Sequence, residues 1–440
     1  MTDLTVDTFI DQPARVSAPG TASWTCPFCP LLCDAFSVKA ADKAADKATP
    51  RPALALVGST CPRARAALAQ FTADAAAPQP LLKGKAASLD DAIAAAARVL
   101  AASRLPLFGG LATDVAGARA LYALASATGA VSDAAHGAAA TQALRALQDR
   151  GGYTTTLAEI KARADLMVCI GAVPTERFPE FDRRCGIGFD GGSLSKRDMV
   201  VIGADGDGDS DSDRDSDSKS EGEGDLFATV ACLAALVAGL AVRDAPEALR
   251  ALSARLHAAR YAVLVYETGR LPPHGALVIE AIHRTVATLN RTTRAAAFAL
   301  GSDAGEATAS QVFTWLSGLP LRSRSAPAGQ VHEPQLFDAA RLLKGNAVDA
   351  LLWVSSFTAD EPPPPSTLPR IVLGHPGLAA ACAEMDVFIP VSTPGIGSAG
   401  HLFRGDGSVM LPLQRVLDDG LPTVAAILIR LRHALTKAAA

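Results

Sequence analysis

Four cysteines stand near the start of this 440-residue chain: Cys26, Cys29, Cys33 and Cys61, in the pattern C-x2-C-x3-C-x27-C. Thiolate is the soft ligand that iron–sulfur clusters and zinc both select. Three thiols on one tight loop and a fourth brought in from a distance suit a cubane [4Fe-4S] cluster, each cysteine holding one iron corner. Structural zinc more often takes two separated knuckles donating a pair each, and no second knuckle surrounds Cys61. Zinc and four unrelated core cysteines remain the alternatives on the residues alone. The other four, Cys169, Cys185, Cys232 and Cys382, are isolated. Cys169 falls in a strand-like run and Cys232 in an alanine-rich helix, so each reads as a small core hydrophobe. His332, His375 and His401 share no ligand spacing.

The elements that position these residues read as α/β. Short apolar runs at 105–108, 166–170, 199–202, 261–266, 296–300, 350–354, 371–373 and 387–389 alternate with helical patterns such as 114–128 and 275–289. Buried runs of this length between helices predict parallel, doubly wound sheets covered on both faces, and eight of them are many for one sheet. Ser88, with Asp91 three residues on, opens an alanine-rich helix expected to end near Ser103. A composition of 49% apolar and 20% charged residues supplies a large core. The net charge of -4 excludes a nucleic-acid surface as the dominant feature. Residues 1–13 carry three aspartates and no basic stretch, unlike a secretory signal. The longest apolar window, 226–242, is shorter than the roughly 20 residues that span a bilayer. These features imply a reducing, cytoplasmic setting with no membrane partner. The tract at 204–225 holds ten acidic residues against Arg214 and Lys219, so it is predicted to be a disordered acidic loop.

The cysteine spacing followed by doubly wound domains resembles the molybdopterin and tungstopterin oxidoreductases. Within them, three stretches are similar to the B subunit of formylmethanofuran dehydrogenase: CPLLCDAF from Cys29, GGYTTTLAEIKARADLMVCIG from Gly151, and DVFIPVSTPGIGSAGHLFRGDG from Asp386. The last is like the segment that closes over the pterin in that superfamily. The resemblance implies a small N-terminal iron–sulfur domain (1–85) and two doubly wound domains, one inserted in the other. The first would comprise 86–112 and 259–410, the inserted one 113–258, with 411–440 as a C-terminal segment.

The resemblance also shows what is missing. Active members hold tungsten or molybdenum between two pterin dinucleotides, with a cysteine or selenocysteine ligand in a T-S-C-E-like turn. The matching stretch, GGLATDVA over 109–116, places Val115 at that ligand position, and no cysteine lies within 40 residues on either side. Valine has no lone pair to offer a metal. The G-x-N-P-like nucleotide turn reads Gly171, Ala172, Val173, Pro174, and its counterpart reads Ser355, Ser356, Phe357, Thr358. His136 matches a histidine that active members place by the metal; here it reads as a residual or packing histidine. Tungstopterin or molybdopterin is therefore expected to be absent, with no catalytic residue retained. The implied function is a catalytically silent subunit of the bacterial formyltransferase/hydrolase complex. Its partners would be a formyltransferase, an amidohydrolase-like zinc subunit and a further small subunit, in methanofuran-linked oxidation of one-carbon units to formate. An active dehydrogenase subunit and a cluster-only electron-transfer subunit are the alternatives.

Overall fold

Apolar runs too short for helices and flanked by them leave pairing as the only way to satisfy their backbone groups out of water. In the computed structural model, residues 23–41, 53–72, 78–187, 198–203, 225–301 and 305–439 are described. The expected acidic loop, Asp225 excepted, and the first 20 residues lie outside them. Among the described residues the strands form two principal sheets. The larger has nine strands with a parallel centre, in the order Val131–Ser132, Pro106–Ala112, Ala350–Ser355, Arg370–Gly374 and Val387–Pro390. The smaller has four parallel strands, Ala295–Leu300, Ala262–Glu267, Leu166–Ile170 and Asp198–Ile202.

Helices cover the larger sheet on one face: Leu89–Ala102, Val115–Thr128, Glu306–Ser317 and Val424–Ala439. Their buried residues follow helical spacing. Ala92, Ile93, Ala96 and Leu100 form one apolar stripe, packed with Leu121, Phe313 and Leu428 against Phe108 and Leu352 of the sheet. The Ser88 hydroxyl accepts from the Asp91 N–H and starts the first of these helices as its sequence predicts. One face of the smaller sheet takes the helices Leu226–Val237 and Gly275–Leu289. On the other, Met167, Val265 and Phe298 share a core with Trp24, Phe28 and Leu68 of the cysteine-bearing segment.

The eight expected strands are present, but the pairing moves all four expected domain boundaries. Ala262–Glu267 and Ala295–Leu300, assigned above to the first domain, pair within the sheet of Leu166–Ile170. Val131–Ser132, assigned to the inserted one, pairs with Pro106–Ala112. The inserted unit therefore begins after 135 and ends near 301, not at 113 and 258. The hairpin Leu81–Leu82/Lys85–Ala86, placed above with the cysteines, forms an edge of the large sheet. The terminal helix Val424–Ala439 is no separate tail, since its Ile427, Leu428 and Leu431 lie in the large sheet's core. Both edges of the large sheet are antiparallel, the other being Ser323–Ala326 with Gly329–His332. An apolar run specifies burial but not its neighbour, which is why these boundaries moved.

Candidate functional site

The cysteine loop folds back on itself through Cys26 N–H donating to the Cys33 carbonyl and Leu32 N–H donating to that of Cys29. Cys61 immediately precedes the helix Pro62–Ala69, whose first-turn proline supplies the fixed φ of a helix start. All four thiols are buried. Burial pushes the Cys26, Cys29 and Cys33 thiols up, and the neighbouring cysteines push in the same direction. The four cysteines lie in one buried core with Trp24, Phe28 and Leu68. Against this, backbone N–H groups of Phe28, and of Leu31 and Leu32, reach the Cys26 and Cys29 sulfurs, and the Arg63 charge also favours the Cys29 thiolate. Buried thiols with backbone N–H donors near them are the kind of ligand that a cluster uses. Arg63 anchors the loop by donating to the Phe28 carbonyl at 2.8 Å.

Beyond this module, the C-terminal ends of the parallel strands of both sheets meet at a crevice, the usual place for a ligand in α/β folds. From the large sheet come Thr113 and Asp114, Ser355 and Ser356, and His375. The Asp114 carboxylate accepts from the Gly117 N–H at 2.9 Å and caps the helix beginning at Val115. Val115 itself packs onto the apolar core of the large sheet. Two other segments press against this helix start. A β-carbon at Gly305, whose φ is +88°, would lie 2.6 Å from the Thr113 nitrogen and 2.6 Å from the Phe357 ring. A β-carbon at Gly400 would lie 2.8 Å from the Asp114 carboxylate.

The two turns expected to hold nucleotides spend their polar groups internally. The Ser356 hydroxyl donates to the Ala112 carbonyl at 2.8 Å, and its own carbonyl accepts from the Thr393 hydroxyl at 2.7 Å. Gly171 N–H donates to the Ile202 carbonyl, and Val173 leads into the short helix Pro174–Arg177. Arg177 then meets Glu267, a buried carboxylate at the end of its strand, at 3.5 Å. Burial pushes Glu267 up, and Arg177 and Arg270 pull it back.

His136 faces the same crevice and lies 3.0 Å, Nδ1 to Oε1, from Glu306, which is only 2% exposed. Glu361 completes a group of three whose ligand-capable atoms all lie within 4.8 Å of one another. A cavity of about 270 Å³ is lined by His136, Arg177 and Glu306, and one of about 310 Å³ by Phe28, Arg63, Arg177 and Glu361. Each sits near the lower bound, about 300 Å³, of sites for one drug-sized ligand. Two pterin dinucleotides are larger than either cavity. A larger open depression of about 890 Å³ lies at the opposite ends of the smaller sheet's strands. Its Arg163 and Arg260 are paired with Glu159 and Asp165.

The segment Asp386 to Gly407 clasps these parts together. Trp24 Nε1 donates to the Gly395 carbonyl, Gly405 N–H to the Pro30 carbonyl, and Leu157 N–H to the Asp406 carboxylate. Arg63, Arg177, Glu267, Glu306 and Glu361 escaped the sequence reading because single charged residues read as surface when nothing in the sequence shows what they face. His375 is buried; burial pushes its pKa down to about 4, and its Nδ1 accepts from the Gly377 N–H. No helix of the described residues is long and apolar enough to cross a membrane.

No family model matches the chain. It is 30% identical over 368 residues to the Fhc B subunit of the formyltransferase/hydrolase complex of Methylorubrum extorquens, covering 80% of this chain and 97% of that protein. Its structure superposes on a chain in the crystal structure of the formyltransferase/hydrolase complex FhcABCD of Methylorubrum extorquens bound to methylofuran. The TM-score is 0.69 at 29% identity, over 82% of this chain and 99% of that one. Identity of this extent, over a shared α/β fold of parallel sheets, shows that the chain belongs to the family of formyltransferase/hydrolase complex B subunits.

Proposed function

We propose that this chain is a catalytically silent B subunit of a formyltransferase/hydrolase complex, carrying a [4Fe-4S] cluster on Cys26, Cys29, Cys33 and Cys61 and no tungstopterin or molybdopterin. The observation that carries the reading is the close packing around the helix start at Val115. Val115, partly buried, packs against the core, Gly305 and Gly400 press on the helix start at Thr113 and Asp114, and Ser356 is committed to the Ala112 carbonyl. A crevice closed by the chain's own backbone supports a scaffold more than a redox centre. Kinship with a complex subunit favours this over the active dehydrogenase and the electron-transfer readings.

In this reading the chemistry belongs to the partners: a formyltransferase and an amidohydrolase-like zinc subunit that releases formate from formyl-methanofuran, with a further small subunit. The cluster would be structural, cross-linking the loop at 26–33 to the helix start at Cys61 in a module with a small core. The module in turn packs on the smaller sheet and is tied by Trp24 to Gly395, so the cluster would stiffen the join between parts.

Affinity purification of the tagged chain from its own host tests this. Co-purification of formyltransferase and formyl-methanofuran hydrolase activity, with both activities lost from the purified fraction when the chain is deleted, is the expected result. Isolation of the chain alone with viologen-linked oxidation of formyl-methanofuran would contradict it.

A further inference from the structure

Away from the crevice, the open depression of about 890 Å³ collects Tyr153, Arg163, Arg260, Tyr261 and Arg294 from four separate segments. Tyr153 follows the helix Gly137–Arg150, and Arg163 ends the helix Leu157–Arg163. Arg260 and Arg294 stand just before the strands Ala262–Glu267 and Ala295–Leu300. The backbone around them is fixed. The Asp165 carboxylate accepts from the Arg260 and Tyr261 N–H groups at 2.9 and 3.0 Å, and the Arg294 carbonyl accepts from the Ala262 N–H at 2.9 Å. Tyr153 is held as an added edge of the sheet: its carbonyl accepts from the Ala297 N–H at 2.7 Å, and the Thr155 N–H donates to the Ala297 carbonyl. A β-carbon at Gly152 would lie 2.6 Å from the His283 ring, so this loop sits tightly on the helix beneath it. Yet the Tyr153 side chain is turned outward, and the residue is 57% exposed.

Arg163 and Arg260 meet Glu159 and Asp165 at 3.5 Å and stay mostly exposed. Arg294 is exposed, and no carboxylate pairs with it among the described residues. Three guanidinium groups against two carboxylates leave the depression net positive, in a chain of net charge -4. Tyrosine and arginine on a fixed backbone are the residues that anchor protein interfaces, because they bring contact area at little cost in lost freedom. We propose that this depression is a docking surface for another subunit of the complex, which lays a carboxylate-bearing loop against Arg163, Arg260 and Arg294 and packs on Tyr153. The guanidinium fork matches a carboxylate geometrically. Glu159 and Asp165 beside the arginines would repel a nucleic acid or a polyphosphate, and an open depression does not enclose a small molecule. The inference rests on the chain working within a complex, and it is independent of what the crevice holds.

The competing role is a solvated surface, in which Arg163 favours the end of its own helix and Arg260 backs Asp165. That role needs no neighbour within reach of Tyr153. The test therefore asks what stands beside Tyr153 in the assembled complex.

Tyr153 is replaced by photoreactive benzoyl-phenylalanine in the tagged full chain, the complex purified from its host is irradiated, and cross-linked peptides are identified by mass spectrometry. We expect a cross-link to a different subunit, in a peptide that carries aspartate or glutamate. Arg294→Glu should weaken retention of that subunit on dilution by roughly tenfold or more. Raised salt should loosen the wild-type contact and affect the variant less. Changing a carboxylate residue of the cross-linked peptide to arginine should restore retention in Arg294→Glu. Arg98→Glu, on the exposed side of the helix Leu89–Ala102, should assemble like the wild type. Subunits that co-purify with no cross-link from position 153, or a cross-link only to a second copy of this chain, would overturn the docking surface and leave membership of a complex standing. No co-purifying subunit at all would overturn both.

Discussion

Gly305→Ala probes the closure of the crevice without touching a polar group. The backbone at Gly305 has φ +88°, a region where a β-carbon costs about 1–3 kcal/mol. That β-carbon would also stand 2.6 Å from the Thr113 nitrogen and 2.9 Å from its oxygen, both backbone atoms that cannot swing aside. Overpacking of this kind adds about 1–3 kcal/mol. The combined penalty, about 2–6 kcal/mol, is largest if the chain keeps its closure over Thr113 and is relieved if the crevice opens. Gly318→Ala is the control, because φ there is +76° and nothing lies within 4 Å, leaving only the backbone cost of about 1–2 kcal/mol. Hydrogen exchange of peptides covering 113–118 and 305–310 reads the local opening directly. At about 1.4 kcal/mol per decade, Gly305→Ala should speed exchange there at least about 30-fold. Gly318→Ala should leave the 113–118 peptide close to wild type. Exchange at 113–118 within threefold of wild type in Gly305→Ala would refute the closed crevice.

Three further outcomes follow from the same structure. Cys29→Ser should lose iron and acid-labile sulfide together with thermal stability, read by iron analysis and melting of the same sample; zinc in the wild type would point to the other metal. Arg322, buried with Asp133 at 3.2 Å and Asp338 at 2.5 Å, holds Asp133 ionised although burial pushes that carboxyl up to about 6. Arg322→Met should therefore cost about 3–5 kcal/mol at pH 8, where Asp133 is left charged and unpaired by any guanidinium. Without Arg322 the Asp133 carboxyl moves above about 6, so the deficit should shrink as pH falls from 8 towards 6, and denaturation curves at pH 8 and 5.5 measure it. His375 is held neutral, with its folded pKa of about 4 below the ordinary 6.5. The unfolded chain thus protonates first, so this stability is complete above about pH 6.5 and is lost as pH falls towards 4, about 3 kcal/mol in all. His375→Gln, which keeps an acceptor for the Gly377 N–H, should lose less stability over that window than the wild type.

Much of the fold could be read from the residues. Apolar runs such as 166–170 and 350–354 became buried strands, and the Ser88 start became a capped helix, because burial and capping are local demands. Pairing is not local. Val131–Ser132 is two residues long and carries no periodic signal, yet it decides which sheet the chain leaves and when. The polar edge hairpin Ser323–Ala326/Gly329–His332 shows no alternation that would mark it as a strand pair. Val115 is legible in the sequence as a residue that cannot ligate a metal, since a side chain without a lone pair excludes coordination. His136 was visible only as a single histidine; its partners Glu306 and Glu361 lie 170 and 225 positions away, and only the meeting of three loops brings them together.

The proposed function has the four cysteines holding an iron–sulfur cluster and the crevice beside Val115 holding neither tungsten, molybdenum nor pterin. Elemental analysis of the native complex, purified without added metal and paired with fluorescence of oxidised pterin extracts, tests it most directly. The expected result is iron with acid-labile sulfide in the ratio of one cubane cluster per chain, and neither tungsten, molybdenum nor pterin. Near-stoichiometric tungsten or molybdenum with pterin would contradict it, and would place a working redox centre in the crevice beside Val115.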